Sequence, residues 1–123
     1  MDSLLIDGTF TTPEVRFITN GNLYIGGRSL PEDTNKFYNP IFDWIKNFRG
    51  SSVTIDIRFG YLNTSSSKQL YTLLTLIKEN TSVAKVLVNW YYEEGDDDYY
   101  EFGKEMEMLT KLDFDFYEYA ETE

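Results

Sequence analysis

The chain contains no cysteine and no histidine. Without cysteine there is no disulfide, no thiolate metal ligand and no thiol nucleophile. Without histidine, the commonest general base and the commonest zinc ligand are missing. Apolar runs are short, and none approaches the ~20 residues of a membrane-spanning helix. The start, MDSLLIDGTF, has no basic segment and only three consecutive apolar residues, unlike a secretory signal. These absences are compatible with a cytoplasmic protein and imply no cofactor. Positive charge is also in deficit: 11 Lys and Arg against 21 Asp and Glu leave a net charge of −10. Such a surface repels nucleic acid and anionic lipid headgroups, so neither is expected as a partner.

What is present is material for a core. Of 123 residues, 41% are hydrophobic, with ten Tyr, nine Phe and two Trp. That length and content suit one domain spanning residues 1–123 and argue against disorder. No internal repeat or flexible linker divides it.

Residues 3–7 are short and apolar and predict a first strand. VRFI and NLYIGG flank Asn20-Gly21, a hairpin signal because both residues tolerate positive φ. Gly26 and Gly27 are expected to end the second strand. In EDTNKFYNPIFDWIKNFRG, Phe37, Ile41, Trp44, Ile45 and Phe48 share one helical face. Either Asn39 caps this helix with Pro40 at its first position, or a turn precedes Pro40; Gly50 is expected to stop it. In SSVTIDIRF, Val53, Ile55, Ile57 and Phe59 alternate with polar residues, the period of a strand. Leu70, Leu73, Leu74 and Ile77 mark a second helix ending near KENTS. VAKVLVNWYY reads as a central strand. After the acidic loop EEGDDD, Tyr99, Phe102, Met106 and Leu109 mark a third helix, with Asp96 to Asp98 favouring its N-terminus. DFDFYEYAE closes the chain as a strand. The alternation of strands and helices after an opening hairpin predicts an α/β fold: a mixed sheet with parallel crossovers and helices packed on it.

Four consecutive hydroxyl residues, Thr64 to Ser67, follow the strand ending near Phe59. Ser66 with Gln69 fits a capping box; alternatively Asn63 is the cap and Thr64 begins the helix. Both put Thr64 at a helix N-terminus beyond the C-terminal end of a strand, where ligands and modifications of open α/β sheets gather. A phosphate there would meet free backbone N–H groups and the positive end of the helix dipole, with Arg58 and Lys68 as local cations. The plainer alternative is a Ser/Thr-rich turn that only starts a helix. No glycine-rich phosphate loop occurs.

DIRFGYLNTSSSK, together with GTFTTPEV, LPEDTNKFYNPIFDWIKNF and VNWYYEEGDDDYYEFGKEME, resembles the SiaC family of bacterial biofilm-regulation phosphoproteins across almost the whole chain. The resemblance implies a fold similar to the STAS domains of anti-sigma-factor antagonists, with an N-terminal hairpin and about three helices on the sheet. The STAS phosphosite has the form Asp-Ser-Ser-Gly. Asn63 stands where its Asp stands, Thr64 at the phosphorylated Ser, Ser65 at the second Ser, and Ser66 in place of the Gly. The resemblance further implies partner switching. On that resemblance a dedicated kinase would phosphorylate Thr64, a phosphatase of the PP2C type would reverse it, and the unphosphorylated form would bind and stimulate an effector, a diguanylate cyclase, in cyclic di-GMP signalling. Tyr61, Leu62, Tyr91 and Tyr92 are candidate partner-interface residues.

Two other classes are open. As an enzyme, the chain offers Asp56 with Arg58 on one strand face, a pattern commoner for an ion pair, or the cluster Glu93, Glu94, Asp96, Asp97 and Asp98. That cluster lacks the ligand spacing of a calcium loop, and no metal site is expected. No nucleophile elbow is present, and small-molecule binding or catalysis is the weaker expectation. As a passive adaptor without a covalent switch, the chain would use Tyr91, Tyr92, Tyr99 and Tyr100 around the acidic loop.

Overall fold

The structure, a computed structural model, describes residues 1–120. Glu121, the last residue of the expected final strand, lies outside the described residues. Six strands and three helices follow in the order β1 (Leu4–Ile6), β2 (Glu14–Phe17), β3 (Asn22–Ser29), α1 (Thr34–Asn47), β4 (Ser52–Leu62), α2 (Thr64–Glu79), β5 (Lys85–Glu93), α3 (Asp97–Thr110) and β6 (Asp113–Tyr119). The expected α/β architecture is present. One sheet has the order β1-β2-β3-β4-β5-β6, antiparallel from β1 to β3 and parallel from β3 to β6.

Each parallel crossover steps to the next strand in the same direction. Right-handed crossovers of that kind put all their helices on one face. The three helices accordingly pack as neighbours, α1 on α2 and α2 on α3. Val53, Ile55, Ile57 and Phe59 of β4 face them and are buried, while Thr54, Asp56 and Arg58 look to the uncovered side. Leu70, Leu73, Leu74 and Ile77 of α2 are fully buried, as their spacing requires.

Several elements depart from expectation. The β2–β3 connection is the four residues 18–21, in which Gly21 N–H donates to Ile18 C=O at 3.0 Å. Only Gly21 takes positive φ, at 95°, so Asn20-Gly21 does not form the two-residue turn. β3 runs through Gly26 and Gly27 to Ser29 instead of ending there, because β4 continues alongside it. Of the two readings of α1, the one in which helix precedes Pro40 holds: Asp33, not Asn39, is the cap, accepting from Lys36 N–H at 3.1 Å, and Pro40 lies inside the helix. α1 ends at an extended Phe48, two residues before Gly50. β5 is fifth of six strands rather than central, since each crossover adds its strand at the same edge. On α3 the buried positions are Gly103, Met106 and Thr110; Leu109 is 49% exposed, one position round the helix from the covered face.

Candidate functional site

The hydroxyl run sits at the carboxyl end of the parallel strands, and each of its members has a distinct role. Asn63 is the N-cap of α2: its Oδ1 accepts from Ser66 N–H at 2.9 Å. Thr64 is therefore the first helical residue. The capping box at Ser66 and Gln69 does not form. Gln69 Nε2 instead donates to Asn35 Oδ1 at 2.8 Å, tying α2 to α1. Ser66 is fully buried, where Ser29 Oγ donates to its Oγ at 2.7 Å and Tyr38 Oη lies 2.7 Å from Ser29 Oγ. Burial holds the Tyr38 phenol above its ordinary value, with these serine bonds opposing the shift. Ser65 Oγ is bonded to Thr34 Oγ1 at 2.9 Å and donates to Asn63 Oδ1 at 3.2 Å. Ser67 Oγ donates to Asn63 C=O at 3.1 Å.

Thr64 remains. It is exposed, and alone of the four it has no side-chain hydrogen bond among the described residues. The first turn of α2 contains no acidic residue, nor does that of α1. The positive end of the α2 dipole is left without an acidic side chain, whereas α1 is capped by the Asp33 carboxylate and α3 opens with Asp97 and Asp98.

The named cations separate. Lys68 is exposed, one turn beyond Thr64, and forms no ion pair among the described residues. Arg58 is not at the site: it projects from the uncovered sheet face, its guanidinium 4.0 Å from the Tyr119 ring centroid. Nor does it pair with Asp56, which accepts from Asn89 Nδ2 at 2.9 Å across the strand. The candidate catalytic pair is thus two separate contacts.

A groove of about 420 Å³ runs beside the hydroxyl run, between the end of β4 and the start of α3, lined by Tyr61, Leu62, Ser67, Asp98, Tyr99 and Phe102 among others. It exists because β4 outruns its pairing with β5, which stops at Ile57 and Trp90. Phe59 N–H, beyond the last such pair, donates to Tyr99 Oη at 3.4 Å, and burial drives the Tyr99 phenol strongly upward. Among the described residues no group of acidic side chains is arranged to hold a metal ion. Asp96 caps α3 through Tyr99 N–H at 3.0 Å.

The candidate interface tyrosines do not form one patch. A β-bulge at Gly60, where Arg28 pairs with Tyr61 directly after Gly27 pairs with Phe59, turns Tyr61 outward and Leu62 toward the core. Tyr91 stacks on Tyr117, centroids 5.1 Å apart; Tyr92 packs on Tyr100, and Tyr99 stacks on Trp90. Tyr91 and Tyr92 are neighbours on one strand and so point to opposite faces. Sequence reasoning missed Ser29 and Tyr38, although Tyr38 falls at helical spacing with Ile41, Phe42 and Ile45.

Fold and site together define a small mixed α/β domain that presents a free threonine hydroxyl at a helix N-terminus. The chain belongs to the SiaC family of regulatory phosphoproteins, whose model matches residues 6–119. An uncharacterised protein of Pseudomonas aeruginosa strain UCBPP-PA14 is 32% identical over 98 residues, 76% of this chain and 78% of that protein. A chain in the crystal structure of the P. aeruginosa diguanylate cyclase SiaD in complex with its activator SiaC matches with TM-score 0.85 at 28% identity, over 94% of this chain and 99% of that one. Apo-SiaC of P. aeruginosa matches with TM-score 0.79 at 27% identity, over 95% of this chain and 99% of that one. No helix among the described residues is long and apolar enough to cross a membrane.

Proposed function

We propose that this chain is a cytoplasmic partner-switching protein, controlled by reversible phosphorylation of Thr64. A dedicated kinase adds the phosphate and a PP2C-type phosphatase removes it. The unphosphorylated form binds and stimulates an effector, a diguanylate cyclase, so its output is cyclic di-GMP. The observation that carries this reading is the free hydroxyl of Thr64 beside three hydroxyls already engaged. The likeness to an activator bound to its cyclase supports the choice of effector.

The physics of the switch is local. A phosphate brings about −1.5 to −2 charges at neutral pH. The N-terminus of α2 accepts it through free N–H groups and its dipole. Lys68 lies four residues later, the favourable order for an acid followed by a base on a helix. The fold therefore tolerates the modification, while a partner packed on this edge meets a dianion where it met a neutral hydroxyl.

Phosphosite mapping of protein from its native cell, with co-purification and a cyclase assay, tests the reading. Phosphate is expected on Thr64 and not on Ser65 or Ser66. Thr64→Ala should keep binding and stimulation but escape the kinase. Thr64→Glu should weaken binding at least tenfold. Equal binding by wild type and Thr64→Glu, with no phosphate at Thr64, would end the proposal.

A further inference from the structure

On the same edge of the sheet, an arginine is held between two exposed rings. The guanidinium carbon of Arg28, near the end of β3, lies 4.4 Å from the Phe10 ring centroid and 5.3 Å from that of Tyr61. Its Nε donates to Phe10 C=O at 3.0 Å. It forms no ion pair among the described residues, in a chain with 21 carboxylate side chains. Phe10 is 75% exposed and Tyr61 47% exposed.

The platform is built from three braced segments. In the β1–β2 loop, Thr9 Oγ1 accepts from Thr11 N–H at 3.2 Å and Thr12 N–H at 2.9 Å, and Leu30 N–H donates to Thr11 C=O at 2.9 Å. The bulge at Gly60 sets Tyr61 beside Arg28. Holding the guanidinium between rings removes side-chain entropy before any partner arrives, and Arg with aromatic neighbours is the residue set that dominates interface energy.

Resting on the reading that an effector binds the unphosphorylated chain beside Thr64, we propose that Phe10, Arg28 and Tyr61 are its docking surface and that the partner presents an acidic segment. One partner carboxylate pairs with the free Nη donors of Arg28, the geometry a guanidinium fork favours. Apolar side chains next to it cover the two rings. Charge complementarity selects this occupant: Arg28 is a fixed cation without a carboxylate partner among the described residues. It also fixes the sign of the switch. Thr64 lies three residues after Tyr61, so its phosphate adds negative charge next to this surface and repels the acidic segment.

The test uses the full chain with benzoylphenylalanine at position 10 or 61, and at Tyr24, four residues before Arg28 toward the other end of β3, as a distal control, photo-cross-linked in the native bacterium. Affinity of the recovered cyclase for Arg28→Gln, Arg28→Lys and Phe10→Ser is then measured. Cross-links from positions 10 and 61 are expected on an Asp- or Glu-bearing cyclase peptide, absent at position 24. Arg28→Gln should weaken binding at least tenfold at unchanged Tm, and Arg28→Lys by less. Arg28-dependent cross-links to an acidic peptide of a different protein would uphold the surface and overturn the cyclase. Cyclase binding that responds to Thr64→Glu but not to Arg28→Gln would overturn the surface and leave the switch standing. Cross-links at 10 and 61 that are absent, or indifferent to Arg28, would likewise overturn it.

Discussion

Ser29 and Ser66 share a fully buried hydrogen bond of 2.7 Å that joins the end of β3 to the first turn of α2. Tyr38 of α1 completes the chain of hydroxyls. The site is thus supported from beneath by a satisfied polar network, which specifies the position of α2 more narrowly than apolar packing alone. Replacing Ser66 by Ala leaves a buried hydroxyl short of one partner, a loss of about 1–2 kcal/mol. Urea denaturation should show that loss as a lower midpoint at unchanged slope.

The cap of α2 gives a second prediction. Asn63→Ala removes the acceptor for Ser66 N–H and should cost about 1 kcal/mol. Asn63→Asp keeps the acceptor and should remain close to wild type in thermal unfolding. Its carboxylate beside Thr64 should, however, slow phosphorylation, which a kinase time course would register.

Gly103 bears directly on Trp90. A Cβ at position 103 would lie 2.5 Å from the Trp90 indole nitrogen, with the ring held by Tyr99 and Phe114. Gly103→Ala should therefore destabilise by about 1–3 kcal/mol despite the better helix propensity of Ala. Tryptophan fluorescence should shift as α3 is lifted from the sheet.

Alkaline pH should unfold the protein through two phenols. Burial raises both Tyr38 and Tyr99 above the ordinary 10.0. Below that value each is neutral in the folded and unfolded chain, and its contribution to stability is constant. Above it the unfolded chain ionises before the folded chain does, so stability falls as pH rises, by at most about 1.4 kcal/mol per pH unit for each phenol. Denaturant midpoints should be flat to about pH 9 and drop beyond pH 10. Tyr99→Phe should flatten that drop.

Lys68 and Arg58 should act differently on a phosphate placed on Thr64. Lys68→Gln should raise the second ionisation of phosphothreonine at position 64, followed by phosphorus NMR. Arg58→Gln should leave it unchanged, because Arg58 is committed to Tyr119 on the other face of the sheet.

That contrast marks how far the sequence could be read. Arg58 is six residues from Thr64 in the chain and was a reasonable counter-ion on that ground. A strand alternates its side chains between faces, and which face carries the helices is set by crossovers that residues 58–64 do not encode. Arg28, more than thirty positions away, became a neighbour of Tyr61 only through parallel pairing of β3 with β4. The capping ambiguity was also genuine: Asn63 and Ser66 both have cap chemistry. Burial of Ser66 against Ser29 decided it, since a side chain turned into the core does not double back to its own helix end.

The sequence by itself determined the number and order of the main elements, the apolar faces of β4 and α2, and the family. Local periodicity and a nearly full-length motif set survive in any context that buries them. Tertiary structure alone decided which of four adjacent hydroxyls is free, which cation stands on which face, and that Phe10, Arg28 and Tyr61 meet. Those outcomes depend on strand register and on a bulge at Gly60, and register is fixed by pairing between distant segments rather than by any one of them.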